Sequence, residues 1–273
     1  MAVGSAQGMG GAVALRHPAL SRIFGGPRLG LWFIAVLLLL WELSARSGLI
    51  VSANWPPVSL AALAVVHGLA GGELLAALAG TLYRTAAGFL VGSGSAIILG
   101  LLLSTSALAR RTLEPTIELF RPLPIPALIP PLVLFLGLDD PMKITVVAFT
   151  VFFPVFVNTL HGALAIEPTY RSVAATFGVS WFATLRSVLL PATVPYIFAG
   201  LRISIGLAFV SAVAAEMVAG ASGIGYYITS MQYAGRGADM FAALFLLGLS
   251  GYAINHGFVS IERRVLFWYH SAE

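Results

Sequence analysis

Charged residues along this chain are spaced so that long apolar runs lie between them. Ala86 to Leu103, Pro122 to Leu138, Ile144 to Ile166 and Met240 to Ile261 contain no Asp, Glu, Lys or Arg. Each is close to the ~20 residues that carry an α-helix across a hydrocarbon core of ~30 Å. Leu29 to Leu49 adds a dense apolar core from Leu31 to Trp41, with Glu42 and Arg46 near one end, where long side chains reach the headgroups. A sixth run, Ala192 to Val218, is interrupted by Arg202 and Glu216. The pattern predicts an all-α membrane domain over 29–264 with six spans, at 29–49, 86–106, 122–138, 144–166, 192–218 and 240–261. Tails at 1–28 and 265–273 flank it. Val51 to Tyr83 is apolar too, but His67, Glu73, Pro56, Pro57 and the pair Gly71-Gly72 divide it into pieces too short to cross, so it reads as surface helices.

Composition agrees with the pattern. With 59% hydrophobic residues, 10% charged residues and a mean hydropathy of +0.93, a soluble globular domain is excluded. There is no cysteine, hence no disulfide framework or thiolate metal site. If the N-terminus is cytoplasmic, Arg16, Arg22, Arg28, Arg110, Arg111, Arg121, Arg171, Arg186, Arg263 and Arg264 fall inside, against Arg46, Lys143 and Arg236 outside. Ten against three satisfies the positive-inside rule and puts both termini in the cytoplasm. A cleavable signal peptide is the competing reading of the first run, with Ser44-Ala45 as small residues; the long preceding segment and the charge balance after removal argue against it. The net charge of +4 is spread over separate loops, so a membrane surface explains it more simply than nucleic acid.

Between the fourth and fifth runs lies a polar island, a loop over 168–190. Ala174, Ala175 and Gly178 fall on one helical face and allow a close approach of another surface. Trp181 and Phe182 follow as large apolar residues that fit a partner's groove, Gly178 offers a hinge or helix end, and Pro191 is expected to interrupt the chain before the next span. An amphipathic helix lying on the inner leaflet is the competing reading.

The spacing Ala174-Ala175, Gly178, nine residues, Val188, Leu190-Pro191 resembles the cytoplasmic loop of the membrane subunits of bacterial ATP-binding-cassette importers, with Val173 where that family usually has Glu. Trp55-Pro56-Pro57, Leu113-Glu114-Pro115, Phe120 through Pro130, Phe135 to Leu138, Gly200-Leu201-Arg202 and Ala215-Glu216-Met217 are similar to the nitrate, sulfonate and taurine branch of these permeases. The resemblance implies a six-helix permease of the type I fold in the bacterial inner membrane. Its implied partners are a second copy, two cytoplasmic ATPase subunits that bind ATP and Mg, and an external solute-binding protein. It also implies that Ala174, Ala175, Gly178, Trp181, Phe182, Val188, Leu190 and Pro191 form a coupling segment for the ATPase. The chain itself has no Gly-x-x-x-x-Gly-Lys-Ser/Thr phosphate loop and holds no nucleotide cofactor on this reading.

Polar residues inside the runs are candidates for a pathway or gate, because charge at membrane depth is costly. Arg202 and Glu216 lie ~21 Å apart along one helix and so do not pair with each other. Glu216 is expected near the outer end, as a gate or tied to a basic neighbour such as Arg84. Arg202 either attracts an anion or clamps helix ends, and Arg84 reads as an interfacial anchor before the second span. Asn158, with Thr159, faces a cavity wall beside a third span that Pro122, Pro124, Pro126, Pro130 and Pro131 must bend or break. The glycines at 88, 92, 94 and 100 read as close helix contact. Two other functions compete. A rhomboid-like serine protease would need Ser222 and His256 within hydrogen-bond reach, and a passive channel would need selective rings and no docking loop.

Overall fold

The computed structural model describes residues 27–48, 50, 52 and 54–270, and all regular structure among them is helical. Arg16 and Arg22 lie outside the described residues. The chain divides into two compact units, Met1–Val51 and Ser52–Glu273. The first contains α1 (Pro27–Arg46), whose 20 residues give ~30 Å of helix. Its apolar flank from Leu31 to Leu40 is exposed, and Arg46 Nε donates to Glu42 Oε1 at 2.6 Å at its polar end.

The second unit contains α2 (Val58–Ala70), α3 (Glu73–Thr105), α4 (Ala107–Phe120), α5 (Ile125–Leu136), α6 (Asp140–Leu164), α7 (Pro168–Thr176), α8 (Trp181–Ala219), α9 (Ile224–Tyr233), α10 (Gly237–Val265) and α11 (Phe267–His270). Four of these, α3, α6, α8 and α10, are each long and apolar enough to cross a membrane. The pair α4 and α5 qualifies only as one broken segment, bent by 98°.

Three expectations are corrected here. Only α2 remains a short apolar piece: the glycine pair does break the chain, with Gly72 at φ +77°, but α3 starts at Glu73 and runs without interruption through Tyr83 and Arg84. The predicted third span at 122–138 is the 12-residue α5, ~18 Å long and too short to cross alone. Its break lies at Arg121–Pro124, where Pro124 is extended (φ −69°, ψ 128°) and Pro126 falls in the first helical turn, which needs no N–H donor. Pro191, third, does not interrupt the helix. Leu185–Leu189 forms a π-turn in which Leu190 N–H reaches back to Leu185 O, and α8 continues through the proline as one helix of 39 residues. Widening the turn before Pro191 accommodates a residue that cannot donate to the turn below it. The C-terminal tail, for its part, begins with the short helix α11.

The core is the packing of α3, α6 and α8. Ala96, Leu103, Val147, Val151, Val155, Phe156, Leu160, Ala208 and Ala212 are buried together. Their backbones approach closely because the contact residues are small: a Cβ on Gly92 would lie 2.4 Å from Ala148 O, and one on Gly88 would lie 2.5 Å from Val147 Cβ. Gly100 meets Thr159 in the same row, whereas Gly94 faces open space and is not part of the contact. Lipid offers apolar groups no net gain over protein, so van der Waals fit along this row sets the helix pairing.

Candidate functional site

Near the N-terminal end of α6 and the C-terminal end of α8, five polar side chains form a cluster in which Thr81, Arg84 and Glu216 are buried while Asp140 and Ser222 reach the surface. Thr81 and Arg84 lie one turn apart on α3, Asp140 opens α6, Glu216 lies on the last turn of α8, and Ser222 sits in the turn before α9. Arg84 Nη1 donates to Glu216 Oε1 at 2.6 Å, Nε to Asp140 Oδ1 at 2.7 Å, and Nη2 to Ser222 Oγ at 2.7 Å. The Thr81 hydroxyl donates to Glu216 Oε2 at 2.8 Å and accepts from Ile224 N–H at 2.9 Å. Gly225 N–H donates to the same Oε2 at 3.1 Å, so the carboxylate receives three donors. Glu216 is 0% exposed and Arg84 5%. A pair buried so deeply holds its charges only when the remaining hydrogen-bond capacity is filled, as it is here.

Local sequence makes this possible. Gly223 has φ +102°, and a Cβ there would lie 2.2 Å from the Glu216 carboxylate, so only glycine lets the turn wrap the acid. The expectation that Glu216 is tied to Arg84 describes this contact. The expectation of an interfacial anchor does not, because Arg84 is enclosed among three helices. Thr81, Asp140 and Ser222 went unrecognised in the sequence as partners. Lys143, 2% exposed, packs beside the cluster.

The other pathway candidates lie elsewhere. Arg202, midway along α8, brings Nη1 within 3.8 Å of Glu262 Oε2 on α10, with the arginine side chain 58% exposed, so the contact is not a clamp between two helix ends. Asn158 lines a cavity of about 410 Å³ together with Arg121, Thr150, Phe149, Phe153 and Ile203, at the break between α4 and α5. Its Nδ2 donates to Pro154 O at 2.8 Å. Arg121, not among the pathway candidates of the sequence, also lines this cavity, and its guanidinium contacts Glu118 at 3.2 Å.

The loop folds as α7, a turn and the start of α8. Val179 N–H donates to Ala174 O at 2.9 Å and Gly178 N–H to Ala175 O at 3.1 Å, with Gly178 at φ +66°. This is a left-handed glycine cap. Ser180 Oγ then accepts from Ala183 N–H and starts α8. The predicted small-residue face is divided: Ala174 is buried, while Ala175 and Gly178 are open. Phe177, Trp181 and Phe182 project from the turn, at 80%, 55% and 63% exposure, and Phe177 was not singled out in the sequence. Val188 and Leu190 are half-buried and Pro191 is exposed. A cavity of about 280 Å³ separates Ala175, Val179 and Trp181 from Thr105 at the end of α3.

Neither element of a serine hydrolase is assembled. Ser222 Oγ is bound by Arg84, and His256 stacks on Tyr252 some 19 residues into α10, ~28 Å from its start.

A family described as binding-protein-dependent transport system inner membrane component matches residues 88–265. The chain is 30% identical over 244 residues to the putative aliphatic sulfonates transport permease protein of Bacillus subtilis (strain 168), covering 89% of this chain and 88% of that protein. Against the protein of the same description from Escherichia coli (strain K12), identity is 31% over 250 residues, covering 90% and 95%. Against the nitrate import permease protein of Leptolyngbya laminosa it is 36% over 178 residues, covering 65% and 64%. Among solved structures, a chain of the methionine ABC transporter in inward-facing conformations matches with a TM-score of 0.62 at 21% identity, covering 71% of this chain and 96% of that one, a likeness of fold.

Proposed function

We propose, from the premise that this chain belongs to the binding-protein-dependent transport system inner membrane component family, that the permease admits a small oxoanion, aliphatic sulfonates first and nitrate second. The observation that carries this reading is the cavity of about 410 Å³ at the broken segment, where Arg121, Thr150 and Asn158 offer a cation, a hydroxyl and an amide among phenylalanines. A guanidinium's planar fork matches sulfonate or nitrate oxygens, and broken helices at depth are stable where they border a water-filled space.

In this reading the chain works in the inner membrane with both termini cytoplasmic, paired with a second copy. Two ATPase subunits hold ATP and Mg, and an external binding protein delivers the solute. Phe177, Trp181 and Phe182, with Ala175 and Gly178 beside them, dock in the ATPase. The Arg84–Glu216 cluster holds the outer ends of three helices in register. ATP-driven closure of the motor opens the cavity outward, and the shift requires that the loop bind the motor differently in the two states.

The test is uptake into proteoliposomes carrying this permease with the ATPase and binding protein encoded beside it. ATP-dependent accumulation of labelled taurine, reduced by Arg121→Gln, is expected. Uptake insensitive to competing sulfonates and nitrate would remove the anion assignment. Gly178→Trp is expected to abolish uptake and ATPase stimulation while membrane insertion persists; wild-type uptake would remove the loop assignment.

A further inference from the structure

Lys143 is the charge that the cluster around Arg84 leaves over. It lies one turn after Asp140 on α6, is 2% exposed, and among the described residues its ammonium makes no hydrogen bond or ion pair. Its helix neighbours Met142 and Val146 are buried with Ile129 of α5 and Ala215 of α8, an apolar setting. The charged groups that act on it are Arg84, Asp140, Glu216 and Asp139. Asp139 is exposed, so two cations, Arg84 and Lys143, face two carboxylates, Glu216 and Asp140. Arg84 holds both acids and Lys143 holds neither.

An ammonium kept from water without a partner is costly, and ionisable side chains inside spanning helices mark working sites. The two acids are held unequally. Glu216 is fully buried and receives three donors, whereas the Asp140 side chain is 44% exposed and, among the described residues, accepts one bond, from Arg84 Nε at 2.7 Å. Asp140 and Lys143 stand three residues apart, the spacing at which side chains on one helix meet, and the flexible lysine stem with its three donors can turn to such a partner. A second pairing of equal charge is therefore within reach: Arg84 keeps Glu216 and Ser222, and Asp140 passes to Lys143. The first pairing ties α6 to α3, whereas the second closes within α6 and dissolves that tie. We propose that Asp140 is a transferable latch at the outer end, held by Arg84 when that end is closed and handed to Lys143 when it opens. The inference rests on the alternating-access reading and names the contact that changes hands.

The chain's lack of cysteine permits a direct test. Spin labels on Tyr83→Cys and Leu138→Cys, both exposed positions, report the separation of α3 from the start of α6 in the full transporter with its ATPase and binding protein. With ATP and vanadate that separation is expected to lengthen. In Lys143→Met it stays short, and ATP turnover falls about tenfold, the scale of one lost charge-assisted hydrogen bond. The thermal midpoint of that variant holds or rises, because an unpartnered buried charge has gone. In the Asp140→Asn background, Lys143→Met has no further effect. Normal lengthening in Lys143→Met, a lowered midpoint, or an undiminished effect in the Asp140→Asn background overturns the latch and leaves alternating access standing. A separation that never changes in the otherwise unaltered chain removes both.

Discussion

The cluster around Arg84 and the exposed polar stripe of Tyr252, Asn255, His256 and Ser260 on α10 present the same physical problem with opposite solutions. Both place hydrogen-bonding side chains on helices long enough to cross a membrane. Around Arg84, three helices and a turn supply every partner: the guanidinium meets two carboxylates and a hydroxyl, and the carboxylate of Glu216 meets three donors. On α10, Asn255 and His256 project from the chain without such partners among the described residues. Polar groups satisfied within the chain hold the fold, whereas those exposed on α10 add little to it.

The comparison is broken most sharply at Arg84. Arg84→Met strands Glu216 without its cation and is expected to destabilise the permease by about 3–5 kcal/mol, read as a lowered midpoint of thermal unfolding in detergent. The double variant Arg84→Met with Glu216→Leu should recover much of that loss, because it removes both buried charges; no recovery would mean that Asp140 and Ser222 matter as much as the pair. Gly92→Ala comes next. Its Cβ meets the backbone of Ala148 rather than a yielding side chain, so a loss of about 1–3 kcal/mol is expected in the same assay. Gly178→Ala has open space around it and only its left-handed backbone to oppose it, which predicts about 1–2 kcal/mol of local strain. That strain should appear as faster proteolysis at the loop with little change in global unfolding. Smallest of all, Asn255→Leu should change the stability of the isolated chain by about 0.5 kcal/mol or less, as surface substitutions do. A large loss in the isolated chain would show that the stripe belongs to the fold after all.

How legible these regions were in the sequence differs for physical reasons. Charge-free runs located α6 and α10, because hydrophobic length is a local property. The start of α3 was obscured by Glu73, which read as a breaker, and by Arg84, which read as an anchor before the span; a charge inside a span looks like an end until its partner is known. That partner is remote, 132 residues away for Glu216, and Asp140 is 56 away. The prolines announced a break in the third span, but Pro191 announced one that a π-turn absorbs. Gly178 was recognisable as a helix end from its setting alone, whereas the burial of Ala174 depends on the way α7 packs and is not visible in residue spacing.

The continuity of α8 joins two places that otherwise have nothing in common. Trp181 at one end and Glu216 near the other ride on a single helix of 39 residues, ~58 Å long. Between them Gly200 touches the α6 backbone, 3.0 Å from its would-be Cβ to Pro154 O, and forms a natural fulcrum. A lever of that length tilting by ~5° about its middle displaces each tip by ~2.5 Å in opposite directions. That is comparable to the 2.6 Å between Arg84 Nη1 and Glu216 Oε1.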